Sequence, residues 1–420
     1  MTSRIVLSLA ALLAVAALPA SAKVCDAKAY GAKADGVTKN TKAIQAAIDA
    51  CSAAGGGTVK LTGGTFVSGP VMIRSKVTLE IDKGTTLMGS PDHDDYPAIT
   101  EFKAPGTQAL VSAKNAEDIA ITGSGTIDGN GQSWWEEARK TKGAGIVGEV
   151  QFRPRLVVFD HCKRVKLEGV TIKDSPSWQV VPYYSDHVEI RNVRILAPQH
   201  SPNTDAIDPF SSSNMVIDHV YADVGDDNIA IKSGIINSPG PDDPSTNITI
   251  TDCEFMHGHG LSIGSEIAGG AKNIHAERIH FKGTDQGIRV KANRDRGNQV
   301  YNLSFKDLTM EDVKNPILIS EYYPKALPEG EVETAPITRL TPFFHDITIE
   351  NVKAVNSGNA GIIVGLPESP VKNVVLKNVN IAAETGMTVA YAEVTGTEVH
   401  LVVAKGEAMK VAPNAKVAIK

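Results

Sequence analysis

Cysteine, aromatic side chains, helix signals and basic charge are all scarce in this chain, and each scarcity removes a class of answer. Four cysteines among 420 residues cannot staple a disulfide-rich scaffold, and there is no CxxC pair or zinc-like spacing. Cys25 and Cys51 flank one N-terminal segment, where a bridge suits an exported chain. Cys162 and Cys253 occupy non-equivalent positions and are expected to stay free. Aromatics make up 5% of the residues, which fits a narrow interior filled by Val, Ile and Ala. The 42 bases fall to 41 without Arg4, against 48 acids, giving about −7 after an N-terminal leader is set aside. That balance argues against a nucleic-acid partner, which demands a basic surface.

Long hydrophobic runs are also missing, apart from residues 6–17. That stretch comes after Arg4 and ends near Ala20-Ser21-Ala22, the pattern of a secretory signal peptide over residues 1–22. It is too short for a comfortable membrane span. The expectation is an exported, monomeric protein of residues 23–420, extracellular or periplasmic, with no membrane attachment after cleavage.

One helix is expected, over residues 41–53, where Ile44, Ala47, Ile48 and Cys51 share a face. Asn40 suits its N-cap and Gly55-Gly56-Gly57 its stop. Beyond residue 60 the chain repeats one theme, an Asn, Asp or other polar residue leading into alternating β-branched positions. It reads Lys76-Val77-Thr78-Leu79, Asp118-Ile119-Ala120-Ile121, Arg164-Val165-Lys166-Leu167, His187-Val188-Glu189-Ile190 and Asn214-Met215-Val216-Ile217. Further copies start at Asn247, Asn273, Asn302, Asp346 and Asn373. From Val165 to Ile274 the spacing drifts between 23 and 33 residues, and a longer insertion separates Leu303 from Ile347. Such a period indicates a solenoid, propeller or array. Two or three short strands per repeat fit one coil of a parallel β-helix, whose coils bury their apolar faces only by stacking. The fold expected is therefore all-β, one solenoid domain with a short N-terminal capping helix covering its open edge.

Four short patches carry the chemistry: Asn203-Thr204-Asp205, Gly225-Asp226-Asp227, Gly258-His259-Gly260 and Arg289-Val290-Lys291. Asp205 to Asp226 is 21 residues, Asp226 to His259 is 33 and His259 to Arg289 is 30, each about one coil. Coils lie about 4.8 Å apart, so the patches form a strip on the order of 14 Å long. Crowded carboxylates raise the pKa of one member, which supplies a protonated acid beside an ionised base. Arg289 and Lys291 offer a cationic site for a sugar acid, so the field at the cleft outweighs the net charge. Asp226 and Asp227 can both face the cleft only where the strand bends or ends.

These four blocks, in this order and spacing, resemble those of the polygalacturonases, glycoside hydrolase family 28. The resemblance runs from Tyr30-Gly31-Ala32 to about Val374 and is weakest after Gly386. It implies a right-handed parallel β-helix that hydrolyses α-1,4-galacturonosyl links of pectin with inversion and without a cofactor or metal. By the resemblance, Asp226 is the general acid, and Asp205 and Asp227 hold and deprotonate the attacking water. His259 tunes the acid and contacts substrate, and Arg289, Lys291 and Asn203 bind the sugar. Tyr323 fits the family's tyrosine in the next coil, with Tyr322 the alternative. Ala206 replaces the family's usual glycine, with little expected effect. A calcium-dependent pectate lyase would need a basic residue as catalytic base and a calcium site of several carboxylates.

Asp208 and Asp223 lack partners in this register and are expected to be structural, and His257 a surface residue. Trp134-Trp135 is expected to cover the solenoid flank in preference to stacking on sugars. Gln132, Arg153 and Arg155 are left unplaced. Two modest inserts, 237–245 and 324–342, could close a cleft end; their size favours internal cleavage, with exo action or a decorated pectin as the alternatives.

Overall fold

The computed structural model describes residues 23–143, 152–328, 330 and 332–420. The proposed leader, residues 1–22, lies outside them. The chain winds as a right-handed parallel β-helix whose stacked coils form three walls. The coil that opens at Gly57 shows the plan: Gly57–Leu61, Gly64–Ser68 and Val71–Ile73, after which Val77–Ile81 begins the next turn on top of Gly57–Leu61. Stacked parallel pairing continues to Lys416–Ile419.

The repeats read from the sequence are the first wall, and their register is the expected one. Val165, Val188, Met215, Ile248 and Ile274 align from coil to coil. They point inward and are almost fully buried. The polar residue opening each copy has a positive φ, from Lys76 at 62° through Asn214, Asn247, Asn273 and Asn302 at 54–57° to Asn373 at 50°. Asn tolerates this left-handed corner better than other side chains because its amide bonds locally. Here the amides also stack: Asn247 donates to Asn214 (3.0 Å), Asn273 to Asn247 (2.9 Å) and Asn302 to Asn273 (2.7 Å).

The capping helix α1, Thr41–Ala53, lies where expected, with Ile44, Ala47, Ile48 and Cys51 buried against the first coils. A disulfide joins Cys25 to Cys51, while Cys162 and Cys253 are buried free thiols. Asn40 does not cap the helix with its side chain, as the sequence suggested. Its amide accepts from the Lys33 N–H (2.7 Å) and donates to the carbonyls of Lys33 and Thr38, fastening the preceding loop instead.

A second helix, α2, Gln132–Gly143, was not expected. It bulges from the turn between Thr126–Asp128 and Val157–Asp160 and covers the flank. Trp134 stacks on His93 at 3.5 Å and Trp135 donates to the Ser175 carbonyl (2.9 Å), both nearly fully buried. The tryptophans thus cover the solenoid, and Gln132 merely opens the helix.

The third wall carries the site. Its strands Val157–Asp160 and Val180–Tyr183 connect through bridges at Ile207 and Phe210 to Ile229–Ile231, Leu261–Ile263, Gln286–Lys291 and Asn315–Ser320. On its outer face, residues one coil apart form rows. One row runs Val158, Val181, Asp208, Ala230, Ser262, Arg289 and Leu318. It passes from apolar to charged and back to apolar.

Candidate active site

The turns entering the third wall hold the acidic residues. Strand pairing stops at Asp223 and resumes at Ile229, so Asp226 and Asp227 lie in an irregular turn and escape the alternation that would separate them. Ile207, Ile229, Leu261 and Ile288 align, and Asp205, Asp227 and His259 each lie two residues before one of them. The true coil steps are therefore 22, 32 and 27 residues. Asp205 stacks with Asp227 and not with Asp226, and Arg289 stands three residues beyond the register position of His259. The sequence intervals placed the right residues together with a slightly wrong register.

Close stacking here demands glycine. Gly260 has φ +75°, and a Cβ there would fall 2.0 Å from the Gln286 carbonyl. Ala206, by contrast, is accommodated: it is buried in the core and its N–H donates to the Asp227 carbonyl (2.9 Å).

Asp227 is the fixed point of the constellation. It accepts from Ser262 Oγ (2.8 Å), Arg289 Nη1 (3.1 Å) and Lys291 Nζ (2.7 Å). Burial alone would raise its carboxyl, but Lys291 and then Arg289 outweigh burial and hold it well below the usual range. Lys291 is itself pulled down by burial, against the pull of Asp227. Asp226 is the accessible member, its side chain 24% exposed against 2% for Asp227. Its Oδ1 accepts from the Asp227 N–H (2.9 Å) and lies 3.0 Å from His259 Nδ1. Burial opposes charge on His259, but the hydrogen bond and charge of Asp226 prevail and raise it. Its other nitrogen, Nε2, lies 3.4 Å from Asp285. Ligand atoms of Asp226, Asp227 and His259 fall within 4.8 Å of one another, a spacing open to a cation, yet the charge of Asp227 is already matched by two basic side chains.

Tyr323 closes the strip, its ring 5.4 Å from the Arg289 guanidinium and 5.1 Å from Lys291 Nζ. Tyr322 turns away and packs with Val364, Leu366 and Ala390, so of the two tyrosines it is Tyr323 that faces Arg289 and Lys291. Asn203 is exposed at the rim with φ +55° and accepts from Arg153 Nη2 (2.8 Å). Arg153 also donates to the carbonyls of Pro176 and Pro202, and thereby fixes that rim.

Asp208 does not stay apart as the sequence suggested. It is fully buried, shares the outer row of Ser262 and Arg289, and lies 3.5 Å from Lys232. Lys232 belongs to none of the four blocks that the sequence brings forward. Nearly inaccessible, it sits 3.6 Å from Glu266, 3.8 Å from Asp205 and 4.8 Å from the Trp178 ring centroid. A signal for it was present: Ile229-Ala230-Ile231-Lys232 repeats the pattern of Ile288-Arg289-Val290-Lys291 in an aligned coil. Burial, opposed by Lys232, pushes Asp208 up to about 7. Burial and the neighbouring Asp208 and Asp226 raise Asp205 well above its ordinary value. Lys232 is raised because Glu266, Asp208 and Asp205 together outweigh its burial. Asp223 remains outside the site, paired with the exposed His257 at 2.9 Å.

Comparison with known proteins places the chain among relatives. Residues 46–401 match the family described as Glycosyl hydrolases family 28. An endo-polygalacturonase of Pectobacterium carotovorum subsp. carotovorum is 32% identical over 372 residues, covering 84% of this chain and 86% of that protein. A probable polygalacturonase of Vitis vinifera is 29% identical, covering 84% and 73%. Among solved structures, a hyperthermoactive exopolygalacturonase from Thermotoga maritima superposes with a TM-score of 0.76 at 27% identity, covering 94% of this chain and 92% of that one.

Proposed function

The chain belongs to glycosyl hydrolases family 28, and on that premise we propose how its residues hydrolyse the α-1,4 links of polygalacturonate. It is a glycoside hydrolase of polygalacturonase type, and its substrate is pectic polygalacturonate. The assignment of roles is carried by one observation: the half-buried but accessible Asp226 beside His259, set against the locked, ionised Asp227.

In this reading Asp226 gives its proton to the leaving glycosidic oxygen. Asp205 and Asp227 hold a water on the opposite face of the ring and take its proton as its oxygen bonds to C1. The C1–O bond breaks, the anomeric configuration inverts, and water supplies both the new hydroxyl and the balance of protons. Asp205 Oδ1 is buried with no hydrogen-bond partner among the described residues, which supports it as a holder of that water. Arg289 and Lys291 donate to the sugar carboxylate beside the scissile bond, the Tyr323 ring packs against these two cations and the sugar, and Asn203 binds at the rim. We further propose that residues 1–22 are removed on export; the Cys25–Cys51 disulfide supports an oxidising destination.

A time course on polygalacturonate without calcium tests the reaction class. Expected are new reducing ends with no unsaturated product, and proton NMR of the first product should show the inverted anomer. Absorbance from unsaturated ends would replace hydrolysis by elimination.

A further inference from the structure

The hairpin Ala98–Glu101 and Ala104–Thr107, inserted between Thr85–Gly89 and Val111–Lys114, folds across the outer face of the third wall. At its tip Phe102 packs on Tyr183 (4.4 Å between centroids), Phe210 (5.6 Å) and Trp178 (6.3 Å). Arg155 is held between the Phe102 and Trp178 rings at 4.4 and 4.5 Å and pairs with Glu101. Lys103 reaches the Pro241 carbonyl (3.3 Å) and Asp242 (3.2 Å), on the loop that leaves the wall after Lys232. From the coil of Val111 to that of Ile229 is four steps, roughly 19 Å of solenoid, crossed by this strap. It covers Val158 and Val181, the apolar continuation of the row that holds Asp208 and Arg289, and Phe210 in the row beside it.

Beside the strap lies a pocket of about 300 Å³, lined by Pro105, Gly106, Arg153, Arg155, Trp178 and Asn203. That is the lower end of the range for small-ligand sites. Beyond Arg289 the same face opens into a cavity of about 1210 Å³, bordered by Tyr323, Leu318, Ile362, Thr388, Tyr391 and Lys410. The two sides of the catalytic strip are therefore unequal.

We propose that the strap of residues 98–107 is an end wall which makes this enzyme exo-acting. The last one or two units of a chain enter the pocket beside Asn203 and Arg153, and the remainder lies along the cavity past Tyr323. This rests on the polygalacturonase reading above and departs from the internal cleavage that the size of inserts 237–245 and 324–342 favours, because the closing element is the earlier hairpin.

The test compares product length with viscosity on long polygalacturonate. The wild-type protein should release mono- or digalacturonate from the first time points, with little viscosity loss per new reducing end. Early mid-length oligomers with a steep viscosity fall would overturn the wall while leaving the hydrolase intact; no new reducing ends would instead overturn the polygalacturonase reading. A variant with residues 98–107 replaced by a short Gly-Ser turn should move products to mid-length and raise viscosity loss per cut several-fold. Should that variant fail to fold, Lys103→Ala, which frees only the tip, should shift products the same way, and an unchanged product pattern in a folded variant counts against the wall.

Discussion

At the scale of single residues, the site works because like charges are forced together and then compensated unequally. Asp226→Asn should lower kcat on polygalacturonate by roughly 10²–10⁴-fold, with circular dichroism unchanged. On a galacturonide with a good leaving group, most of the loss should vanish, since such a bond needs no protonation; a similar loss on both substrates would move the acid elsewhere. Lys232, beside Asp205 and Asp208, is expected to act through them. Lys232→Met removes the cation that opposes their raised pKa values, so both should climb further. A base that keeps its proton to higher pH shifts the acid limb of kcat/KM upward, which a pH profile measures. The same variant leaves Asp205, Asp208 and Glu266 facing one another without compensation, a loss of about 3–5 kcal/mol for a broken buried pair. Protonation relieves that repulsion, so by linkage the drop in Tm should be larger at pH 7 than at pH 4.

At the scale of elements, legibility tracked periodicity. The helix α1 and the first-wall strands were readable because their apolar positions recur at 3.6 and 2 residues, and the corner residues because only a few side chains accept a left-handed φ. The corners yield a prediction. Asn273→Ala keeps φ +57° strained and breaks the ladder between Asn247 and Asn302, and should cost about 1–2 kcal/mol in urea unfolding. Asn273→Gly should recover part of it, because glycine removes the strain but not the lost amide bonds. The helix α2 was not readable. Its two large apolar residues are adjacent, Trp134 and Trp135, and no apolar stripe repeats along it; what orders it is contact with His93, Tyr96 and Ser175, distant in sequence. The hairpin was hidden for a related reason. Ala98–Thr107 alternates only weakly, and its anchor, Phe102 on Tyr183 and Phe210, exists only once three coils have stacked.

At the scale of the whole molecule, the chemistry was legible as residue types and less so as register. Asp205, Asp226, Asp227, His259, Arg289 and Lys291 do converge, but unequal insertions at each corner hid that Asp227 aligns with Asp205, and so hid Lys232 beside them. The solenoid's stability is similarly distributed, with one exception at the capped end. The Cys25–Cys51 bridge closes a 26-residue separation and holds α1 over the first coil. Replacing both cysteines by alanine should cost about 2–4 kcal/mol, read as a lower urea midpoint. Turnover at 25 °C should persist, since the catalytic strip lies several coils away.

The strap over the cleft also sets how such an enzyme experiences its surroundings. If only termini can enter, the effective reactant is the molarity of chain ends rather than the mass of polymer. Equal weights of long and short polygalacturonate then present very different concentrations, and halving the mean length doubles the supply. Each cut leaves one terminus for the one it consumed, so the initial rate stays steady instead of accelerating as fragments accumulate. An enzyme built this way gains from any neighbour that cuts at random, because every internal break hands it a fresh terminus.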